Sequence, residues 1–135
     1  MFEDMATHAG DTFDADVGHM IATRSTEAFA LGWGSEHVGW LFEADGLAVA
    51  SAMVTLQAWL PHPRYPSGVR PYYHSVHTAP EHRGRGLARQ LTLAAIDWAR
   101  RAGYTNFVLH ASEQGRPLYE GLGFVNSSEW ILPLA

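Results

Sequence analysis

Val76-His77-Thr78-Ala79-Pro80-Glu81-His82-Arg83-Gly84-Arg85-Gly86-Leu87-Ala88 runs from an extended segment into a helix with two glycines between them. Pro80 ends the extended part, because its ring removes a donor and fixes φ. After the glycines, Leu87, Leu91, Ala94/Ala95 and Trp98 fall on one face at helical spacing, and Gly103 stands where a C′ glycine belongs. Between strand and helix, Gly84 and Gly86 allow a tight turn and close approach of a ligand to the backbone. The first N–H groups of the helix lack intrahelical partners, and its dipole favours anions. Arg83 and Arg85 add guanidinium groups suited to phosphate oxygens. Together these features describe a cradle for a pyrophosphate. A dinucleotide loop would want a third glycine and an acidic residue about twenty positions on. Here the third position is Ala88 or Arg89 and residues 100–105 read Arg-Arg-Ala-Gly-Tyr-Thr, so that reading fails.

Outward from this stretch the pattern alternates. Val17, Met20, Ile21, Ala28 and Leu31 recur at near-helical spacing over residues 14–31. Residues 38–43 and 47–59 read as two strands joined by the short hairpin turn Ala44-Asp45-Gly46. Pro61, Pro63 and Pro66 make residues 61–68 a loop. Residues 72–78 are β-like, and residues 106–111 form an apolar strand beyond the main helix. A short helix is expected over residues 116–120, ended by Gly121 and Gly123, with strand candidates near Phe124 and over residues 130–132. This order predicts an α/β domain with a sheet of mixed sense.

At 135 residues, 47% of them apolar, the chain fits one domain with a real core. No run is long and apolar enough to span a bilayer, and no signal-like segment opens the chain. The absence of cysteine removes disulfides, thiolate metal sites and a Cys nucleophile, and the expected location is cytoplasmic. There is no lysine, which excludes Schiff-base chemistry. The net charge is −5, yet six of the nine basic residues lie between residues 70 and 101. That balance argues against nucleic acid and against a membrane partner, and for one small polyanion.

Residues 76–88 resemble the strand-to-helix motif of the GCN5-related N-acetyltransferases (GNAT), with its Arg-x-x-Gly-x-Gly/Ala core. Pro117-Leu118-Tyr119-Glu120-Gly121-Leu122-Gly123-Phe124 is similar to the same family's Leu-Tyr-x-x-x-Gly-Phe motif. The resemblance is firm over residues 70–125, a coenzyme-binding core. It implies a mixed, mostly antiparallel sheet flanked by helices, with residues 1–35 forming a helical acceptor-side region. It also implies acetyl-CoA or CoA as co-substrate, with no metal, and a primary amine of a small molecule or peptide as acceptor.

By that resemblance the amides of Gly84, Arg85, Gly86, Leu87 and Ala88 bind the pyrophosphate beside Arg83. The backbone of Val76, His77 and Thr78 holds the pantetheine arm where two strands part. The Val76 N–H then polarises the thioester carbonyl, and Tyr119 protonates the departing thiolate. An amine nucleophile must also lose a proton. His74 is the first candidate base, since strand alternation puts it on the face of Val76 and an imidazole suits the task. Glu27 and Glu43 are weaker candidates. Trp59, Tyr65, Tyr72 and Tyr73 border the proline-rich loop and suit either an acceptor pocket or packing. His74 and His77 point to opposite strand faces, which argues against a shared metal ion.

Two departures from the family pattern stand out. Ser112 and Gly115 occupy the positions of the Asn-x-x-Ala that often precedes Leu-Tyr, so with the shorter serine a coenzyme contact is expected to be lost or bridged by water, and Arg116 is the candidate to compensate. The chain also begins with residues that resemble the middle or end of the family's first helix, so either the start is placed too far downstream or the family's first strand is missing. Loss of that strand would expose a sheet edge, to be covered by a partner subunit or the N-terminal segment, and a homodimer is expected rather than a monomer. A non-catalytic acyl-CoA-binding or sensor protein of the same fold is the alternative to an enzyme.

Overall fold

The computed structural model describes residues 36–127 and 129–134. The expected helix over residues 14–31, the question of a first strand and Glu27 all lie outside the described residues. Four strands form one sheet in the order β1-β2-β3-β4: His37–Ala44, Leu47–Ala58, Val69–Thr78 and Val108–Leu109. The first three make an antiparallel meander, whereas β3 and β4 run parallel, so the sheet is mixed as the sequence predicts. Asp45 and Gly46 both have positive φ (52° and 77°), the pair of values that a two-residue turn matched to strand twist requires.

Helix α1, Leu87–Arg101, crosses between β3 and β4 and packs on one face of the sheet. The contact is built from small residues. Ala50, Ala52 and Val54 of β2 and Ala95 of α1 are almost fully buried, with Leu91 and Tyr73 completing the core. Three alanines at the seam let helix and sheet approach closely. Larger side chains, among them Trp40, Phe42, Trp98 and Phe107, close the margins. The Tyr73 hydroxyl ends in this core and donates to Thr92 Oγ1 at 3.0 Å; Thr92 in turn donates to the Ala88 carbonyl at 2.7 Å. A buried polar pair satisfied in this way fixes the position of α1 along β3.

Two expectations change, and a third is resolved. The strand over residues 106–111 shrinks to Val108–Leu109, because β3 offers pairing only to those two residues. Residues 124–127 and 129–134 form no strand, and Val125, Trp130, Ile131, Leu132 and Leu134 are exposed. Apolar, strand-prone composition there meets no described neighbour to pair with. Tyr73, for which pocket and packing both stood open, is a core residue at 1% exposure. A second helix, α2, spans Arg116–Gly121, as the glycines after it predict.

Candidate functional site

The site begins with an irregularity in β3. Ser51 pairs with His77 and Met53 with His74, so Ser75 and Val76 together stand opposite Ala52. This is a β-bulge, and Ser75 takes a left-handed φ of 54° to accommodate it. A bulge bends its strand and raises the local twist. Here it follows directly on the last β3–β4 pair, Tyr73↔Leu109, beyond which the strands part.

The gap that results is a cleft of about 480 Å³. β3 contributes Val76, His77 and Thr78 to its walls. The loop after the strand and the first turn of α1 add His82, Arg83, Gly84, Gly86, Leu87, Ala88 and Arg89. Ser112, Gln114, Gly115, Leu118 and Tyr119 close it from the side of α2. Of the residues expected at the coenzyme, Arg85 and Arg116 do not line this cleft and the rest do. His82, Arg89 and Gln114 line it without having been expected, since none of them is a fixed position of either motif, and Leu118 joins them as the motif leucine to which no coenzyme role was given.

Gly84 and Gly86 both have φ of 75°, which L side chains rarely adopt. Gly86 is the N-cap of α1, and the first helical bond runs from Gln90 N to its carbonyl at 3.1 Å. The amides of Leu87, Ala88 and Arg89 therefore have no carbonyl partner within the helix. Leu87, Ala88 and Arg89 all line the cleft, so the positive end of the helix dipole lies at its wall. The Arg83 side chain folds back, donating from Nε to the Thr78 carbonyl at 3.0 Å and tying the loop to the strand end.

Tyr119 is held on two sides. Its ring meets Phe124 edge-on at 5.6 Å, and Gly115, one turn earlier, leaves the space it fills. A Cβ at position 115 would stand 2.9 Å from Tyr119 Cε2 and 3.3 Å from Ser112 Oγ. Ser112 Oγ is itself engaged, accepting from the Gly115 amide at 3.1 Å at the start of α2. Burial raises the Tyr119 pKa above the usual phenol value, so the hydroxyl keeps its proton at neutral pH.

His74 departs from its expected place. Antiparallel partners share a face, so His74 lies with Met53 on the side away from α1. Val76 instead packs against the core on the α1 side. The extra residue of the bulge breaks the alternation that was expected to align them. His74 does not line the cleft; its ring is half-buried and stacks on Tyr72 at 5.4 Å. Its Nε2 is 2.6 Å from Thr55 Oγ1 and its Nδ1 2.9 Å from Ser75 Oγ. Burial, with a smaller contribution from His37, holds its pKa below the usual imidazole value, so the ring is neutral at pH 7. Glu43 is exposed near the hairpin turn and lines no part of the cleft. Among the described residues no three His, Cys, Asp or Glu side chains are grouped so as to hold a metal ion.

An antiparallel meander, a parallel strand parted from it and a helix N-terminus in the gap define a class of fold found in acetyltransferases. A GCN5-related N-acetyltransferase from Ralstonia eutropha superposes with a TM-score of 0.85 at 28% identity, covering 98% of this chain and 86% of that one. A predicted acetyltransferase from Clostridium acetobutylicum, solved with acetyl-CoA, gives 0.82 at 22% identity over 97% and 83% of the two chains. The aminoglycoside acetyltransferase AAC(6')-Iy, solved with a CoA-S-monomethyl-acetylneamine bisubstrate analogue, gives 0.67 at 18% identity, covering 90% and 80%. The model of the acetyltransferase (GNAT) family matches residues 7–124, and the chain belongs to that family.

Proposed function

We propose that this protein is an acetyl-CoA-dependent N-acyltransferase that moves an acetyl group directly to a primary amine of a small molecule or peptide. One observation carries the reading: the bulge at Ser75 and Val76 opens β3 from β4 into a cleft that has the N-terminus of α1 at its wall. The residues fit an acyl-CoA. The α1 amides and the dipole suit the pyrophosphate, and the parted strand offers backbone groups to the pantetheine arm. When bound, the co-substrate supplies the activated thioester. The neighbour solved with acetyl-CoA and the one solved with a bisubstrate analogue support the same donor.

In this reading the Val76 N–H donates to the thioester carbonyl oxygen as negative charge develops there. Tyr119 donates its retained proton to the leaving sulfur. His74, neutral at rest, takes up the proton the amine must lose. Its position on the far side of the strand makes this an indirect transfer, passed through a hydroxyl or water. With no cysteine in the chain, no thioester-linked acyl-enzyme forms on the protein.

Calorimetric titration with CoA and acetyl-CoA, joined to thiol-release assays over spermidine, tyramine, an aminoglycoside and a peptide with a free N-terminus, tests the proposal. Coenzyme binding with turnover on at least one amine is expected. Tight binding without turnover on any amine, and no effect of Tyr119→Phe, would instead make the protein a non-catalytic acyl-CoA sensor.

A further inference from the structure

Both ring nitrogens of His74 face hydroxyl groups, so a proton reaches or leaves the ring through a neighbour. Nδ1 meets Ser75 Oγ at 2.9 Å and Nε2 meets Thr55 Oγ1 at 2.6 Å. Thr55 Oγ1 continues the line to His37 Nδ1 at 3.1 Å. The four groups come from three strands, and the register alone brings them together: His37 of β1 pairs with Thr55 of β2, and Met53, two residues before Thr55, pairs with His74 of β3. A hydroxyl carries one hydrogen. Standing between two imidazoles, Thr55 donates to one and accepts from the other, so the tautomers of His37 and His74 are set by each other.

From this geometry we infer that Ser75, His74, Thr55 and His37 form a proton path that carries the amine's proton from the bulge to the partly exposed end of β1. The inference rests on the reading of His74 as the base. The balance is simple. A proton arriving at Ser75 Oγ releases that hydroxyl's own hydrogen to His74 Nδ1. The Nε2 hydrogen of His74 passes to Thr55 Oγ1, whose hydrogen passes to His37 Nδ1, and one proton leaves from His37 Nε2. No electron pair changes owner beyond these transfers. Ser75 is the first member because the bulge gives it a left-handed backbone next to Val76, a residue of the cleft wall. A non-glycine residue held in that conformation is the kind of strain that gathers at working sites.

Thr55 and His37 touch neither substrate in this scheme; they are positioning residues that act through His74. Among the described residues, the titratable groups around His74 are His37 from β1 and Tyr72 from its own strand, with His110 and Glu129 beyond Tyr72. Tyr72 donates to His110 Nδ1 at 2.9 Å and His110 Nε2 donates to Glu129 at 2.7 Å, so that second chain runs away from His74.

The test compares Thr55→Val, Thr55→Ser, His37→Gln and His74→Gln with the unaltered protein, using the amine from the panel that turns over fastest. Thr55→Val is expected to lower kcat about tenfold or more, a fraction of the effect typical of a general base. The KM for acetyl-CoA should stay within twofold, and the acid limb of the pH–rate profile should move. Thr55→Ser, which keeps the hydroxyl, should restore kcat to within about threefold, and His37→Gln should resemble Thr55→Val. Equal loss in the serine and valine variants, or unaltered kcat and pH profile in Thr55→Val and His37→Gln, overturns the path. If those two are unaltered while His74→Gln is inactive, the base stands and the path alone fails. If His74→Gln is fully active, or no amine turns over, the base and the path fall together.

Discussion

Gly86 and Gly46 offer a matched pair of perturbations. Both sit at almost the same positive φ, 75° and 77°, and a Cβ at either would meet nothing within 4 Å. Alanine at each position therefore introduces backbone strain without a clash. That strain is about 1–2 kcal/mol for a left-handed L-residue, offset by about 0.4–1 kcal/mol because alanine narrows the unfolded ensemble. Each variant should lose roughly 1 kcal/mol, or about 4 °C in Tm for a domain of this size. Their effects on the coenzyme should differ. Gly46 turns the β1–β2 hairpin and lines no part of the cleft, whereas Gly86 caps α1 and does line it. Relief of strain at residue 86 moves the α1 amides, and each charge-assisted bond lost to a phosphate is worth about 1.5–3 kcal/mol. Gly86→Ala should thus weaken CoA binding about 10- to 100-fold, while Gly46→Ala leaves it within twofold. Thermal denaturation and titration calorimetry on the two variants read both quantities. Equal CoA affinity in the two, at equal loss of stability, would refute the placement of the pyrophosphate at this helix end.

Three further outcomes are expected. Tyr119→Phe should lower kcat about 100-fold with CoA affinity nearly unchanged, measured by thiol release and calorimetry, because the change removes a proton donor and keeps the ring. The folded-state pKa of His74 lies below that of the unfolded chain, so between the two values the unfolded chain binds more protons. Stability should therefore be full above about pH 6.5 and fall as pH drops, and urea unfolding at pH 7.5 and 5.5 should show a smaller difference in His74→Gln. In the core, Thr92→Val should cost about 2–3 kcal/mol, since it strips partners from both the Tyr73 hydroxyl and the Ala88 carbonyl. Tyr73→Phe leaves Thr92 bonded to Ala88 and should cost only about 1 kcal/mol by chemical denaturation.

Much of this fold is legible in the sequence because its signals are local. The Asp45–Gly46 turn, the apolar stripe of α1 and the glycines at its N-terminal end each follow from neighbouring residues. The cleft residues 76–78, 83–84 and 86–88 follow from the same stretch. The bulge does not. Nothing in His74-Ser75-Val76 departs from strand composition, and only the pairing with β2 shows that Ser75 is supernumerary. That one residue is why alternation placed His74 on the wrong face. Thr55 and His37 escaped notice for a related reason: they reach His74 through register across three strands, which no short motif encodes. Residues 124–127 and 129–134 carry the opposite lesson, since strand-like composition alone does not make a ladder.

The bulge also bears on how such a cleft can arise. Without Ser75, residues 73, 74, 76, 77 and 78 would alternate across β3 without a break, and the β2–β3 ladder would be regular to its end. An indel of one codon thus separates a closed sheet from one that opens beside a helix. The residue that opens the sheet also carries a hydroxyl against the imidazole before it. A deletion restoring the ladder should give a well-folded protein unable to hold its donor, so length at this position, more than identity, is what selection has to guard.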